Sequence, residues 1–141
     1  QWGYGKRPCD ELILDYIQKG EMYIQYENDE IAGMMSVTMG QGENYHQISW
    51  NGNFLDDEVC VIHLLAVTPA FQKNGIGRKL MTSAFELAKK QGIKAVRLDV
   101  LVENIPAQKM YEKLGFTNCC HEKMFVENSG ILDFYFLAKI L

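Results

Sequence analysis

Two glycines spaced two residues apart, Gly75 and Gly77, lie where a dense apolar run gives way to an amphipathic helical pattern. Glycine has no Cβ atom, so the backbone can approach a ligand closely at these positions. The helix that follows offers its first N–H groups and the positive end of its dipole, both of which favour an anion. Arg78 and Lys79 add positive charge at the same point. The segment therefore predicts a site for a phosphate-bearing ligand.

The spacing of these glycines excludes two common phosphate loops. A P-loop requires Gly-x-x-x-x-Gly-Lys-Ser/Thr, which the chain does not contain. A dinucleotide-binding turn requires a third glycine, and Leu80 stands in its place. The pattern that fits is Gln/Arg-x-x-Gly-x-Gly/Ala, with Gln72, Gly75 and Gly77 at the fixed positions. This pattern resembles the pyrophosphate-binding motif of the GNAT superfamily of N-acetyltransferases.

A second string carries the same resemblance. In that superfamily, Asn-x-x-Ala-x-x-x-Tyr-x-x-x-Gly-Phe follows the fifth strand, and residues 104–116 supply every fixed position. Residues 65–69, Leu-Ala-Val-x-Pro, are similar to the strand that precedes the phosphate loop. The three matches come in the family's order within residues 59–116. The chain therefore resembles an acetyl-CoA-dependent N-acetyltransferase.

Hydrophobic patterning predicts the elements that would position these motifs. Residues 59–67 are apolar on both faces, as in a central strand, and the helix and strand after them complete a β-α-β unit with parallel strands. A short strand is also expected at residues 45–50, within a polar, glycine-rich segment. The main predicted strands are 21–27, 31–39, 59–67, 95–102, 117–126 and 131–140, and the predicted helices are 10–19, 77–91 and 106–114.

These elements predict one α/β domain over residues 1–141, with a mixed, mostly antiparallel sheet and flanking helices. The resemblance implies an acyl-CoA N-acyltransferase fold, in which the central parallel strands, 59–67 and 95–102, pair at one end and splay at the other. Family members begin with a strand and a helix pair before the first hairpin, and only part of that fits before residue 21. We therefore expect the N-terminal strand to be missing from this sequence.

The resemblance also implies how acetyl-CoA binds, as a co-substrate lying between the splayed strands. The main chain of Leu65 and Val67 would bond to the pantetheine arm, and the Leu65 N–H would polarise the acetyl carbonyl. The pyrophosphate would rest on the amides of residues 74–78. Asn104 either caps its helix alone or also bonds to the cofactor. The predicted cofactor-binding residues are Leu65, Ala66, Val67, Gln72, Lys73, Asn74, Gly75, Ile76, Gly77, Arg78, Asn104, Ala107 and Tyr111.

For catalysis, the resemblance places Tyr111 at the general-acid position, where a phenol can give a proton to the departing thiolate. The alternative is a core aromatic residue that anchors its helix. A base must also deprotonate the acceptor amine, which is largely protonated at pH 7. Val61 stands where many relatives carry Glu, so His63, two residues along, is the predicted base; alternatively it is a half-buried imidazole bonded to a neighbour. Glu58 and Glu103 are further candidates.

The composition of the chain argues against several classes of partner. The net charge of -4 argues against nucleic acid, which attracts clustered lysine and arginine, and no apolar stretch reaches the roughly 20 residues of a membrane helix. The four cysteines lack metal-site spacing, so we expect no metal, and free thiols indicate a cytoplasmic protein. No cysteine lies beside a histidine in a way that would make it a nucleophile.

The expected partner is an amine acceptor that takes the acetyl group directly, in a ternary complex. It is a polyamine-like or amino-sugar molecule, an amino acid, or a peptide or protein amine, and the acidic residues 56–58 favour a cationic one. Four aromatic residues either line its pocket or cover the sheet: Trp2, Tyr4, Tyr45 and Trp50. The apolar last strands favour a homodimer. The alternative function is that of a non-catalytic acyl-CoA-binding sensor or regulatory module.

Overall fold

Alternating apolar and polar side chains build a six-stranded sheet in this protein. The computed structural model describes residues 22–40, 45, 48–50, 52–72 and 75–141. The predicted helix 10–19 lies outside these ranges, as do Lys73 and Asn74. Within them, the strands are β1 (Met22–Glu27), β2 (Glu30–Met39), β3 (Val59–Val67), β4 (Ala95–Leu101), β5 (Thr117–Val126) and β6 (Gly130–Ile140), and the α-helices are α1 (Ile76–Lys90) and α2 (Ile105–Lys113).

The order of strands across the sheet is β1-β2-β3-β4-β6-β5. β3 and β4 run parallel, and the other neighbouring strands run antiparallel. α1 forms the crossover from β3 to β4, as the sequence predicted for a β-α-β unit. The predicted fold class, a mixed and mostly antiparallel sheet with a central parallel pair, is therefore confirmed.

The main predicted elements are present with ends that differ by at most one residue in the described ranges. The strand predicted at residues 45–50 is wrong for the part of it that the structure describes. Ile48 N–H donates to the Tyr45 carbonyl at 3.2 Å, which is the spacing of a turn. Trp50 Nε1–H donates to the same carbonyl at 2.8 Å. None of the described residues in this segment lies in a strand, and Tyr45 is helical.

Apolar side chains pack on both faces of the sheet. On one face, called here the helix face, α1 and α2 cover a large cluster that includes Met35, Ile62 and Val100. The opposite face, called here the far face, carries a smaller cluster built around aromatic rings. The buried members of the far-face cluster are Tyr45, Val61, Phe134 and Phe136.

β3 and β4 separate partway along their length, as the resemblance implied. Their parallel pairing runs from Val59 opposite Ala95 to Ile62 opposite Leu98 and goes no further. Beyond that point β3 stays paired with β2, and β4 stays paired with β6 as far as Leu101. Because each strand is held by its other neighbour, the two diverge. We call the point of divergence the fork.

A β-bulge in β3 lies at the fork. Ser36 of β2 pairs with Leu64 and the next residue, Val37, pairs with Ile62, so β3 has His63 inserted at this step. Ile62 and Leu65, three residues apart, consequently both belong to the helix-face cluster. Bulges commonly re-aim a side chain next to a functional site. Here the bulge turns His63 away from the helices, toward Thr38 of β2.

Gly33 is packed too closely to accept a side chain, and we expect Gly33→Ala to lower the free energy of unfolding by about 1–3 kcal/mol, the usual cost of overpacking a core. A Cβ atom there would lie 2.9 Å from the Ala66 carbonyl oxygen and 2.9 Å from Ile76 Cγ2. Chemical denaturation measures this change directly. A variant with the midpoint and slope of the native protein would contradict the close packing of β2 against β3 and α1.

Candidate active site

A cleft of about 840 Å³ lies at the open end of the fork. One wall is formed by the end of β3 and the start of α1, and the other by the start of α2 and the residues before it. The separation of β3 and β4 thus creates a concave site on the helix face. The cleft is lined by Leu65, Val67, Phe71, Gln72, Gly75, Ile76, Gly77, Arg78, Glu103, Asn104, Pro106, Ala107, Lys109, Met110 and Lys113.

Most of the predicted cofactor-binding residues meet in this cleft. Nine of them line it, which brings the glycine motif and the helix α2 motif to opposite walls of one site. Ala66 lies on β3 between two lining residues and is partly buried. Tyr111 lies in the core beneath α2 and is 4% exposed. Lys73 and Asn74 fall outside the described residues.

The start of α1 has the geometry of an anion site. Gly75 has φ of +75°, a conformation that glycine adopts without strain, and α1 begins there without a side-chain cap. The first helical hydrogen bond runs from Lys79 N–H to the Gly75 carbonyl, at 3.0 Å. The N–H groups of residues 76–78 therefore precede the helical ladder and lie at the cleft.

The positive charges at the cleft differ from those the sequence suggested. Arg78 lines the cleft, but Lys79 pairs with Glu27 of β1, with Nζ and Oε1 2.6 Å apart. Across the cleft, Lys109 and Lys113 of α2 also line it. Sequence analysis missed these two lysines, although their four-residue spacing places them on one side of the helix and could have indicated a shared surface.

Gln72 gives the phosphate loop little support. Its side-chain amide donates to the Val67 carbonyl at 3.5 Å, which is long for a hydrogen bond. Gln72 is also exposed. Its side chain therefore lines the cleft and makes only this long hydrogen bond within the described part of the chain.

Asn104 caps α2 and presents a second polar atom. Its Oδ1 accepts from the Ala107 N–H at 3.3 Å, which satisfies one donor at the helix start. The Asn104 side chain is 6% exposed, and its Nδ2 has no hydrogen-bond partner among the described residues. A buried amide nitrogen without an acceptor is costly. Because Asn104 lines the cleft, a ligand there can supply that acceptor.

Tyr111 packs against Phe116 with ring centroids 5.6 Å apart, as a core aromatic residue does. Burial raises the pKa of its phenol well above the ordinary value, and the charge of Asp99 raises it further. The hydroxyl therefore keeps its proton at neutral pH. The packing of Tyr111 is that of a core aromatic residue, and its role as general acid stays a prediction.

His63 lies on the far face at the fork. The Thr38 hydroxyl oxygen and His63 Nε2 are 2.6 Å apart. Atoms packed around the imidazole lower the pKa of His63, and the charge of Asp99 opposes this change, although part of the side chain remains exposed. The imidazole is consequently neutral at pH 7 and able to accept a proton.

The structure brings to the fork an acidic residue that sequence analysis did not single out. Asp99 is the first residue of β4 beyond the last β3–β4 pair. The Tyr45 hydroxyl donates to its Oδ2 at 2.6 Å. Burial raises the pKa of the Asp99 carboxyl, while the Tyr45 bond and the charge of His63 oppose that rise. The sequence feature that could have identified Asp99 is the presence of an aspartate within the mostly apolar strand Ala95–Leu101.

The other residues considered as bases occupy different places. Glu58 lies next to the paired end of β3 and β4, away from the cleft, and forms an ion pair of 2.5 Å with Lys94. Its hydrogen bond to Lys94 lowers the pKa of the Glu58 carboxyl, which makes it a weaker base. Glu103 lines the cleft. Val61 is buried in the far-face cluster.

The described part of the chain shows neither a membrane-spanning helix nor a metal site. No helix there is long and apolar enough to cross a membrane. No group of three or more His, Cys, Asp or Glu side chains within the described ranges is arranged to hold a metal ion. Cys60, Cys119 and Cys120 are free thiols.

Comparison with known proteins agrees with this geometry. Residues 2–116 match the family model described as the acetyltransferase (GNAT) family. The chain is 34% identical over 115 residues to a [ribosomal protein bS18]-alanine N-acetyltransferase of Haemophilus ducreyi. The aligned segment covers 77% of this chain and 78% of the relative. It is 44% identical over 68 residues to an uncharacterized N-acetyltransferase of Methanocaldococcus jannaschii, which covers 48% of this chain. The chain spans only 30% of that relative's length.

A solved structure shares the arrangement of strands and helices. A GNAT family acetyltransferase from Elizabethkingia anophelis, with acetyl-CoA bound, superposes with a TM-score of 0.69 at 24% identity. The match covers 95% of this chain and 84% of that protein. At this identity the comparison shows a common fold.

Proposed function

The chain belongs to the GNAT family of acetyltransferases, and we propose that it moves an acetyl group from acetyl-CoA directly to a primary amine in a ternary complex. The observation that best supports this proposal is the fork between β3 and β4, which opens onto a cleft lined by Gly75, Gly77 and Asn104. A donor on the helix face and an acceptor on the far face can meet through such an opening. We also propose that residues 1–141 form one domain.

Three features of the cleft fit a coenzyme A ligand. The N–H groups at the start of α1, with Arg78 and the adjoining Lys73 and Asn74, would hold the pyrophosphate. A Cβ atom on Gly77 would lie 3.1 Å from Met110 Sδ, so the glycine keeps a narrow passage open between α1 and α2. Beyond it, the main chain of residues 65–67 and the Asn104 amide nitrogen would bond to the pantetheine arm, beside Ala107.

Acetyl-CoA supplies an acetyl group activated as a thioester. In the proposed reaction, the Leu65 N–H polarises the acetyl carbonyl, and His63 carries a proton away from the acceptor amine. Tyr111 donates its hydroxyl proton to the departing thiolate. The raised pKa of Tyr111 and the lowered pKa of His63 support these assignments, because the phenol is protonated and the imidazole neutral at pH 7.

Asn104→Asp separates the two proposed roles of this residue. The carboxylate keeps the oxygen that caps α2, since Asp is as good an N-cap as Asn, but it lacks the Nδ2 donor. We expect acetyl-CoA affinity to fall about tenfold, the upper range for one hydrogen bond, with little change in the free energy of unfolding. Isothermal titration and chemical denaturation measure the two quantities.

Asn104→Ala is the matched comparison, because it removes the cap and the donor together. It should lose as much affinity and, in addition, about 1 kcal/mol of stability. If Asn104→Asp binds acetyl-CoA as tightly as the native protein, Asn104 is a helix cap alone.

The proposed partner is an amine acceptor, with the chain cytoplasmic and capable of forming a homodimer. The relative from Haemophilus ducreyi is named for an alanine of a ribosomal protein. Peptides with an N-terminal alanine therefore belong in the first acceptor panel, with a lysine peptide, a polyamine, an amino sugar and free amino acids. Residues 56–58 do not choose among these acceptors, because Glu58 lies away from the cleft and is paired with Lys94.

An assay of coenzyme A release across this amine panel tests the proposed function. Release above the rate without acceptor, together with mass-spectrometric detection of an N-acetyl product, is the expected result. Tight binding of acetyl-CoA without turnover of any acceptor would instead favour an acyl-CoA-binding sensor. Failure to bind acetyl-CoA at all would contradict both functions.

A further inference from the structure

The Asp99 carboxyl at the fork has one direct hydrogen-bond partner and two residues that respond to its charge. The Tyr45 hydroxyl donates to its Oδ2 at 2.6 Å. His63 of β3 and Tyr111 of α2 both experience the charge of Asp99, which acts on the pKa of each. His63 lies on the far face, whereas Tyr111 packs in the helix-face cluster. Asp99 therefore lies at the opening between the two faces of the sheet. The proposed base, His63, is on one face, and the proposed acid, Tyr111, is on the other.

The surroundings of Asp99 suit a cation. A buried carboxylate is stabilised most strongly by a positive charge, and a phenol such as Tyr45 satisfies one oxygen without neutralising it. Tyr45 and Phe136 pack edge to face with centroids 5.6 Å apart, and Tyr45 and Trp50 lie 5.3 Å apart. Phe136 lies opposite Asp99 in the β4–β6 ladder, so Tyr45 and Phe136 form an aromatic wall beside the carboxylate. The face of Trp50 is already occupied by the Arg97 guanidinium, 4.6 Å from the ring centroid. Aromatic faces and a carboxylate together are the chemistry that recognises an alkylammonium group.

We propose that Asp99 is the binding site for the acceptor's ammonium group and the first acceptor of its proton, with Tyr45 as the residue that positions it. This inference rests on the proposed acetyl transfer. Oδ1 of Asp99 is the oxygen assigned to the ammonium, because Oδ2 accepts from Tyr45. The acceptor reaches this site from the far face, so the nitrogen is directed through the fork toward the cleft.

The proposed step is a proton transfer that frees the nucleophile. One N–H bond of the ammonium breaks, the proton passes to the Asp99 carboxylate, and the nitrogen keeps the electron pair that attacks the acetyl carbonyl. Neutral His63 then takes the proton from Asp99 and releases it to solvent, which restores the carboxylate. His63 is therefore the second group in the path, and the amine itself contacts Asp99.

Asp99→Asn tests this assignment, because an amide is close in shape to the carboxyl but neither attracts an ammonium nor accepts its proton. With a lysine peptide at pH 7.5, kcat/KM is expected to fall at least about 100-fold, the usual contribution of a general base. Methoxyamine is neutral at this pH, so its turnover, after subtraction of the enzyme-free rate, should change far less. Asp29→Asn, in the exposed turn between β1 and β2, is the matched control and should change neither rate.

Tyr45→Phe tests the positioning role through the pH profile of kcat/KM. The Tyr45 bond holds the pKa of Asp99 down, so its removal should move the acidic limb to higher pH. Among the described residues, His63 and Tyr111 are the other titratable groups that interact electrostatically with Asp99, and the Arg97 guanidinium shares the far face of β4. The acidic limb should persist in His63→Gln and disappear in Asp99→Asn.

The outcomes separate this inference from the proposed function. If the native protein acetylates amines and Asp99→Asn retains full kcat/KM for the lysine peptide, the Asp99 assignment is wrong. Equal losses with methoxyamine and with the peptide would also overturn it, since they would indicate a structural role. If the native protein acetylates nothing, the failure belongs to the proposed function. Acetyl-CoA affinity, measured by titration, should be the same in native protein and Asp99→Asn.

Discussion

Tyr111→Phe is expected to lower kcat by about 10²–10⁴-fold, the range that general acid catalysis contributes, without weakening acetyl-CoA binding. The substitution removes only the hydroxyl, so the ring still packs against Phe116 and α2 stays in place. A phenol with a raised pKa holds its proton until a strong base forms beside it. A thiolate leaving the acetyl carbon is such a base. Steady-state rates of coenzyme A release and titration with acetyl-CoA measure the two quantities.

Tyr135→Phe provides the matched control for Tyr111→Phe. Tyr135 packs against the same helix-face cluster but lies on β6, whereas Tyr111 lies on α2, the helix that forms one wall of the cleft. Its loss of a hydroxyl should leave kcat unchanged. If Tyr111→Phe keeps the native kcat with several amines, Tyr111 is only a core residue and another group protonates the thiolate.

Gly77→Val is expected to lower kcat/KM at least about 100-fold, because displacing a bound ligand by about 1 Å is enough to cost that much. The ideal Cβ position is already 3.1 Å from Met110 Sδ and 3.9 Å from Leu65 Cδ2, so two further methyl groups would fill the space between α1 and α2. The proposed pyrophosphate and pantetheine positions lie on either side of this point. The loss should appear as weaker acetyl-CoA binding, measured by titration.

Ser83→Val is the control for Gly77→Val, because it adds a β-branched side chain to the exposed side of the same helix. It should lower helix stability slightly and leave acetyl-CoA affinity unchanged. Native affinity in Gly77→Val would place the ligand elsewhere and would contradict the proposed cofactor site.

The sequence by itself determined the elements and the two motifs that line the cleft. Strand 59–67 and the two helices were predictable because local patterns, a continuous apolar run and a helical stripe, follow from the period of each element. The glycine pair and the Asn104 motif were predictable for a similar reason. The glycines permit unusual backbone conformations and Asn104 caps a helix, and both properties depend on a few adjacent residues. The family resemblance extended these local predictions to acetyl-CoA.

The polar contacts on the far face of the fork join residues that are distant in sequence. Asp99 and Tyr45 are 54 positions apart, and Thr38 and His63 are 25 apart. The strand predicted at residues 45–50 was wrong because local propensity contains neither the bond from Trp50 to the Tyr45 carbonyl nor the packing of Trp50 against Phe136.

Only the tertiary structure decided which polar groups meet at the fork. β3 and β4 diverge because each remains paired with a different neighbour, and no local pattern records where two strands cease to pair. The bulge at His63 likewise depends on the register of β2 against β3. Register and pairing are properties of the assembled sheet. The sequence therefore determines the motifs that line the cleft, and the sheet determines which polar groups lie opposite them.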